Sequence, residues 1–261
     1  MLFESILYES DSEHVATITI NRPDALNSFT QQMCDEFRGV WKSVREDDAV
    51  HAVVLRSAGD RAFSTGADQK IGVHHPENFW NLDDPGASLG AKRNRVWKPV
   101  VCAIQGMAAG GAFYWINESD IVICSDDATF FDPHVSYGKV SSLEPIGLRQ
   151  RIPLGEVLRW ALMGLDERIT APRALAMGLV SEVVPKEDLW DRARQLAVTI
   201  AAKPPAAVQG TVKAIWDSLD MTLGAAQLNG LSYTQLGNPI GTAQVDQNAF
   251  KSGERPNWEP R

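Results

Sequence analysis

Gly106-Met-Ala-Ala-Gly-Gly111 and Ala62-Phe-Ser-Thr-Gly-Ala-Asp68 are the two segments of this chain best suited to chemistry. Glycine lacks a Cβ, so each segment can turn tightly and bring backbone N–H groups close to a ligand. The first stands between an apolar run, Val100 to Ile104, and a run without breakers, Ala112 to Asn117. That order predicts a buried strand feeding a helix that starts near the glycine pair. Unpaired N–H groups and the helix dipole at such a start favour negative charge. A close-packed strand-to-helix turn would use the same glycines, so the remainder of the chain has to decide between the two.

The elements that would position these segments read as follows. His14 to Ile20 alternates as a strand and is broken by Asn21-Arg-Pro-Asp24. Ser28-Phe-Thr30 offers an N-cap for a helix to about Val44, with Met33, Phe37, Val40, Trp41 and Val44 at helical spacing. Val50 to Ser57 is the next strand, and residues 62–68 read as a small-residue loop. Residues 71–97 are polar, aromatic and irregular, in the manner of a binding loop or lid. Beyond the central strand come apolar runs at Ile121 to Cys124 and Thr129 to Phe131, then a helix from Gly155 to Met163. Thr170 is expected to cap a short helix ended by Gly178, and Leu179 to Val184 reads as a strand. Helices follow at Leu189 to Ala202 and Ala206 to Leu219, separated by Lys203-Pro-Pro205, and the tail is helix-compatible to Tyr233. Strands dominate the first half and helices the second, which is an α/β arrangement.

Composition sets the outer bounds. The chain has 261 residues, 44% hydrophobic and 22% charged, enough for a substantial core. A net charge of −8 argues against general nucleic-acid or membrane-surface binding. Cys34, Cys102 and Cys124 lack Cys-x-x-Cys spacing and read as packed thiols in a reducing compartment. With no signal pattern or apolar membrane-length run, the expected location is the cytoplasm. His74 and His75 show no ligand-like spacing to other residues, and no metal is expected.

Several blocks together resemble the crotonase (enoyl-CoA hydratase/isomerase) superfamily. They are Asn21-Arg-Pro-Asp-Ala-Leu-Asn27, the 62–68 loop, Lys98-Pro-Val with Gly106-x3-Gly-Gly111, Asp166-Glu-Arg-Ile-Thr-Ala171, and Gly178-Leu-Val-Ser-Glu-Val-Val-Pro185. The ending Phe250-x4-Arg255-Pro-Asn-Trp258 is similar to the family's. The resemblance implies a crotonase-like spiral of stacked ββα units over residues 1–200. A helical region over residues 201–261 would build a homotrimer or a dimer of trimers and cover the active site. It further implies an acyl-CoA substrate, with no cofactor beyond the coenzyme A of the thioester itself. The backbone N–H groups of Ala67 and Gly111 match the pair that grips the thioester oxygen as an enolate develops. Asp24, Ala25 and Leu26 match the strip lining the CoA arm, and Asp68 and Gln69 the adenine side. Hydration or isomerisation of an unsaturated acyl-CoA is the activity so implied.

The proton-transfer set departs from that pattern. Where hydratases of the family carry two glutamates, this chain has Tyr114 and His134. A histidine with an ordinary pKa of about 6.5 can be acid or base, and Asp132 is placed to orient it. Tyr114 is a hydrogen-bond donor rather than a base. Glu144 stands near the point where 6-oxocamphor hydrolase, which shares an Asp-x-Pro-His phrase, places a carboxylate. That hydrolase also uses a histidine near the position of Gly111, where this chain has none. The alternatives are therefore C–C bond hydrolysis, decarboxylation or thioester hydrolysis on the same scaffold, or a non-catalytic CoA-binding subunit. Glu118 shares a helix face with Tyr114. Lys92, Arg93, Arg95 and Lys98, and likewise Lys251 and Arg255, could meet CoA phosphates or form solvated faces. Phe79, Trp80 and Trp97 hint at an apolar wall for a bulky acyl group.

Overall fold

The computed structural model describes residues 3–72, 78, 80, 83–245 and 258. The expectations resting on His74, His75, Phe79, Lys251, Arg255 and most of the 250–258 ending lie outside the described residues.

Among the described residues ten strands form two sheets. The larger one joins β1 (Ile6–Ser10), β2 (Val15–Ile20), β3 (Ala52–Ser57), β5 (Val100–Ile104), β7 (Ile121–Ser125) and β10 (Glu182–Val184), in that spatial order. Only β1 runs antiparallel to its neighbour. The smaller sheet joins β4 (Ala62–Ser64), β6 (Met107–Ala109), β8 (Thr129–Phe131) and β9 (Ile169–Thr170), with β4, β6 and β8 parallel. Three times the chain passes from the large sheet straight into the small one, as β3–β4, β5–β6 and β7–β8. This is the stacked ββα spiral.

The large sheet is covered on both faces, as parallel sheets generally are. Side chains alternate along a strand, so Val53 and Leu55 join one apolar cluster while Ala52 and Val54 join the other. On the first face lies α1 (Gln31–Glu46), burying Met33, Cys34, Phe37, Val40, Trp41 and Val44 at the predicted spacing. Trp41 Nε1 donates to the Leu89 carbonyl at 2.8 Å. Trp115, from α2 (Phe113–Asn117), packs against Phe29, Phe37 and Phe63 in the same layer. The second face is covered by α6 (Leu189–Ala201), whose Leu189, Ala193, Ala197 and Ala201 form a flat stripe. The three cysteines are buried and free, and burial pushes each thiol up to about 12. They are packing groups.

The chain separates into two compact units, residues 1–202 and 203–261. In the first unit the remaining helices are α3 (Leu143–Leu148), α4 (Leu154–Met163) and α5 (Ala171–Met177). In the second, α7 (Pro205–Ser218) and α8 (Leu223–Ala243) are joined by a network in which Asp217 accepts from Lys213 at 2.9 Å and from the Tyr233 hydroxyl. Among the described residues no helix is long and apolar enough to cross a membrane.

Several local expectations are corrected. The 62–68 and 106–111 segments each begin with a short strand, because the second sheet supplies them with partners that composition does not show. Strand β1 and helix α3 carry no clear periodic signal and are set by packing. Thr170 sits at the start of α5 without a side-chain cap bond. The last strand is confined to Glu182–Val184, and α8 continues past Tyr233 through Pro239 to Ala243.

Thr30 caps α1 as its sequence suggests, its Oγ1 accepting from Met33 N at 3.3 Å. Thr30→Ala removes that acceptor and is expected to cost about 0.5–2 kcal/mol, read as a lower Tm in thermal denaturation. An unchanged Tm would show that the cap contributes nothing.

Candidate active site

The parallel strands β4, β6 and β8 lie side by side with Ser64 opposite Ala108 and Ala109 opposite Phe131. Their continuations, Gly66–Ala67, Gly110–Gly111 and Asp132–His134, therefore leave the small sheet together at its C-terminal edge. Such edges of parallel sheets are where ligand clefts form. Here they line a cavity of about 810 Å3 within the first unit.

Backbone geometry at this edge requires glycine. Gly66 has φ +82°, and a Cβ there would fall 2.8 Å from Gly111 N. Gly110 has φ +51° and abuts Pro133 and the His134 ring. Phe29 pairs with this loop through Gly66 O and Asp68 N, a bridge that does not use the intervening Ala67 N–H. Gly111 lies in the first turn of a short 3-10 segment, Gly110–Ala112, leading into α2. First-turn N–H groups have no intrahelical acceptor. Two donors, Ala67 N–H and Gly111 N–H, thus belong to one cavity wall.

The strip Asp24–Leu26 is held against this wall by Asn27, which is buried with φ +55°. Its amide donates to the carbonyls of Ala58 and Ala62 at 2.9 Å each and accepts from Arg22 N. Burial opposes ionisation of Asp68, but the N–H groups of Ile71 and Lys70 and the Arg22 guanidinium together hold its carboxyl below the usual carboxylate range. Asp68 therefore spends its side chain on shaping the loop. Gln69 is exposed at the rim and accepts from Lys139 Nζ at 2.9 Å.

Opposite the glycines stands a chain of titratable groups. Asp132 is fully buried and accepts from Ser141 Oγ, while its Oδ1 lies 2.5 Å from His134 Nδ1. That bond raises the His134 pKa above its ordinary value against the opposing effect of burial. With Nδ1 bound to Asp132, the imidazole presents Nε2 to Glu144, whose Oε1 is 4.0 Å away. Glu144, at the start of α3, is buried rather than solvated, and burial raises its pKa as well. Tyr114 is half-buried, and burial followed by the nearby charges of Glu144 and Asp84 pushes its phenol up. It stays a neutral hydroxyl.

The residues singled out from the sequence, Asp24, Ala25, Leu26, Ala67, Asp68, Gln69, Gly111, Tyr114, His134 and Glu144, all line this one cavity. Asp84, Gly86, Arg61, Lys70 and Lys139 line it too and were not singled out. The Asp-Pro-Gly turn at 84–86 was the one local signal available for the first two. The basic cluster proves structural in part. Lys92 is buried against Asp120 at 2.7 Å, and Lys98 donates to the Val44 and Asp47 carbonyls at the end of α1. Glu118 pairs with Arg93 and does not line the cavity, nor do Trp80 and Trp97.

The enoyl-CoA hydratase/isomerase family model matches residues 10–259. The chain belongs to this family. As an enoyl-CoA hydratase/isomerase-type enzyme it is 33% identical over 226 residues to the (E)-benzylidenesuccinyl-CoA hydratase of Thauera aromatica, covering 86% of each. A short-chain-enoyl-CoA hydratase of Clostridium acetobutylicum is 31% identical over 224 residues, covering 82% of each. A crystal structure of an enoyl-CoA hydratase/isomerase from Mycobacterium paratuberculosis superposes over the full length of both chains at 36% identity and TM-score 0.87. The crotonase fold and acyl-CoA processing follow for this enoyl-CoA hydratase/isomerase.

Since Asp132 raises the His134 pKa, the protonated ring is favoured in the folded state. Its midpoint, followed by NMR of ring-labelled histidine with His134→Ala assigning the signal, is expected above about 6.5. Asp132→Asn removes the anionic acceptor and should move the midpoint down. An unmoved midpoint would sever the dyad.

Proposed function

We propose that this enzyme hydrates an α,β-unsaturated acyl-CoA, using His134 and Glu144 in place of the family's two glutamates. The observation that carries the reading is the 4.0 Å separation of His134 Nε2 and Glu144 Oε1 in the cavity lined by Ala67 and Gly111. A gap of that size is too long for a direct hydrogen bond but suits one water bonded to both groups.

The thioester oxygen would accept from Ala67 N–H and Gly111 N–H. Glu144 takes a proton from the water as its oxygen bonds to Cβ, and the pair of N–H groups stabilises the resulting enolate. The His134 ring, whose protonated form Asp132 favours, delivers a proton to Cα, so the elements of water are added across the double bond, and proton exchange between Glu144 and His134 restores both. Each oxyanion donor is worth about 2.7–4 kcal/mol in such sites because it is already oriented when charge develops. Tyr114, with its pKa raised, serves as a neutral hydrogen-bonding group. Asp24, Ala25 and Leu26 would line the CoA arm, with Asp68 and Gln69 toward the adenine. Isomerisation uses the same parts, the pair moving a proton between two carbons of the enolate.

A second reading, cleavage or decarboxylation on the same scaffold, draws support from the Asp132–His134 pair facing a carboxyl group. The absence of a side chain at Gly111, where the cavity wall has no room for one beside Phe29, weighs against the C–C hydrolase arrangement. As assembly we propose a homotrimer or dimer of trimers, supported by the exposed Leu154, Leu158 and Leu162 along α4. Light scattering behind size exclusion would return a monomer mass if this is wrong.

The deciding experiment follows loss of the conjugated thioester absorbance over a panel of 2-enoyl-CoA esters. His134→Ala and Glu144→Ala should each lower kcat/KM by about a hundredfold or more while CoA binding is retained. Gly66→Ala, whose Cβ would press on Gly111 N, should lower kcat by about 10²–10³-fold. Hydration indifferent to the first two substitutions would overturn the assignment. CoA binding without turnover of any ester would favour a non-catalytic subunit.

A further inference from the structure

Helix α3 has little means of holding its own position. It is six residues long, contains Pro145 and Gly147, and begins at Ser142 without a side-chain cap bond. Helices so short and so composed owe their place to packing rather than to propensity. Glu144 stands in the first turn, so the distance from its carboxyl group to the His134 ring is set by whatever fastens α3.

The fastening comes from Asn117 at the end of α2, the helix that begins just after Gly111. Asn117 follows Tyr114 by three residues and shares its face of the helix. Where Tyr114 lines the cavity, the Asn117 amide meets α3, and its Nδ2 donates to the Glu144 carbonyl at 2.9 Å. A carbonyl can only accept, so this contact fixes which way the amide points. The fit is close, since a Cβ on Gly147 would fall 2.5 Å from Asn117 Nδ2. The far end of α3 is tied to the same stretch, because Arg151 donates to the carbonyls of Asn117 and Ser119. Among the described residues the Asn117 Oδ1 is buried and accepts no hydrogen bond. A buried acceptor left so costs stability, and an apolar side chain of similar size would avoid that cost. What Nδ2 holds, rather than packing, accounts for an amide at this position.

We infer that Asn117 is a positioning residue, whose amide anchors the α3 backbone at Glu144 and so holds the Glu144 carboxyl group beside His134. Asn117 does not line the cavity and acts on the reaction only through Glu144. The inference rests on the proton-transfer pair proposed above and adds the residue that sets its spacing.

The test measures how strongly Glu144 is felt at His134, with turnover as a second reading. Besides Glu144, Asp132 raises the His134 pKa and Lys139 lowers it, and neither lies on α2 or α3. In the full-length enzyme with ring-labelled histidine, the His134 midpoint is followed by NMR with and without Glu144→Gln. Loss of the carboxylate should lower the midpoint, because a nearby negative charge favours the imidazolium. That drop should shrink to about half or less in three variants, as the coupled group moves away. They are Asn117→Ala, Asn117→Asp, which keeps the size but loses the donor, and Gly147→Ala, which presses on the amide from the other side. Each should also lower kcat for hydration by about tenfold to a hundredfold, the scale of a misplaced reacting group, with KM little changed. In the Glu144→Gln background the same substitutions should do little more, since the group they misplace is gone. A merely structural role would lower turnover equally in both backgrounds and leave the midpoint drop intact. Partial misfolding reduces amplitudes, not midpoints. An undiminished drop, a wild-type midpoint indifferent to Glu144→Gln, or losses of kcat that multiply with a crippling Glu144→Gln would overturn the inference. A shrunken drop, with hydration that Glu144→Gln itself leaves unchanged, would uphold it and overturn the proton-transfer reading instead.

Discussion

The site depends on the register of three short parallel strands. Because Ser64 pairs with Ala108 and Ala109 with Phe131, the chain leaves the small sheet at three adjacent points. Two of these exits are glycine turns that carry backbone donors, and the third carries Asp132 and His134. A shift of one residue in either pairing would turn side chains to the opposite face and separate the donors from the imidazole. The contact between Gly66 and Gly111 is the tightest expression of this constraint. There is no space for a Cβ at either position, since one at Gly111 would strike the Phe29 ring 2.5 Å away.

The large sheet makes that register rigid. Its strands are buried on both faces, by α1 and the aromatic layer on one side and by the alanine stripe of α6 on the other. Apolar alternation over two covered faces leaves a strand little freedom to slide. The small sheet inherits its alignment, since each of β4, β6 and β8 follows a large-sheet strand after only a short turn. Rigid elements therefore hold the backbone of Ala67 and Gly111 at one cavity wall.

Electrostatics at the site reflect uneven burial. Asp132 is fully buried but well bonded, to Ser141 and to His134. Glu144 is buried with far less compensation, and burial accordingly drives it toward its neutral form. The Asp132 bond raises the His134 pKa and burial raises that of Glu144. Tyr114 and His134 stand where the family resemblance places two glutamates, and Asp132 and Glu144 bring carboxyl groups beside the imidazole from neighbouring turns.

Much of this was legible in the chain itself. The apolar runs at Val100–Ile104 and Ile121–Cys124, the helical spacing from Met33 to Val44, and the Thr30 cap are local patterns, and local patterns fold as read when packing agrees with them. The family blocks likewise pointed to Ala67, Gly111 and His134. Short strands β4 and β6 were hidden, because a three-residue strand has no period and exists only by pairing. The burial of Lys92 and Lys98 and the proximity of Glu144 to His134 were hidden for a related reason. Each is a relation between residues distant in sequence, and no composition or spacing encodes it. The chain by itself determined which segments are glycine-lined, which are apolar and which residues stand at the positions of the family's two glutamates. Only the tertiary structure decided that these meet in one cavity, because strand register and two-sided burial, rather than any local preference, set the distances between them.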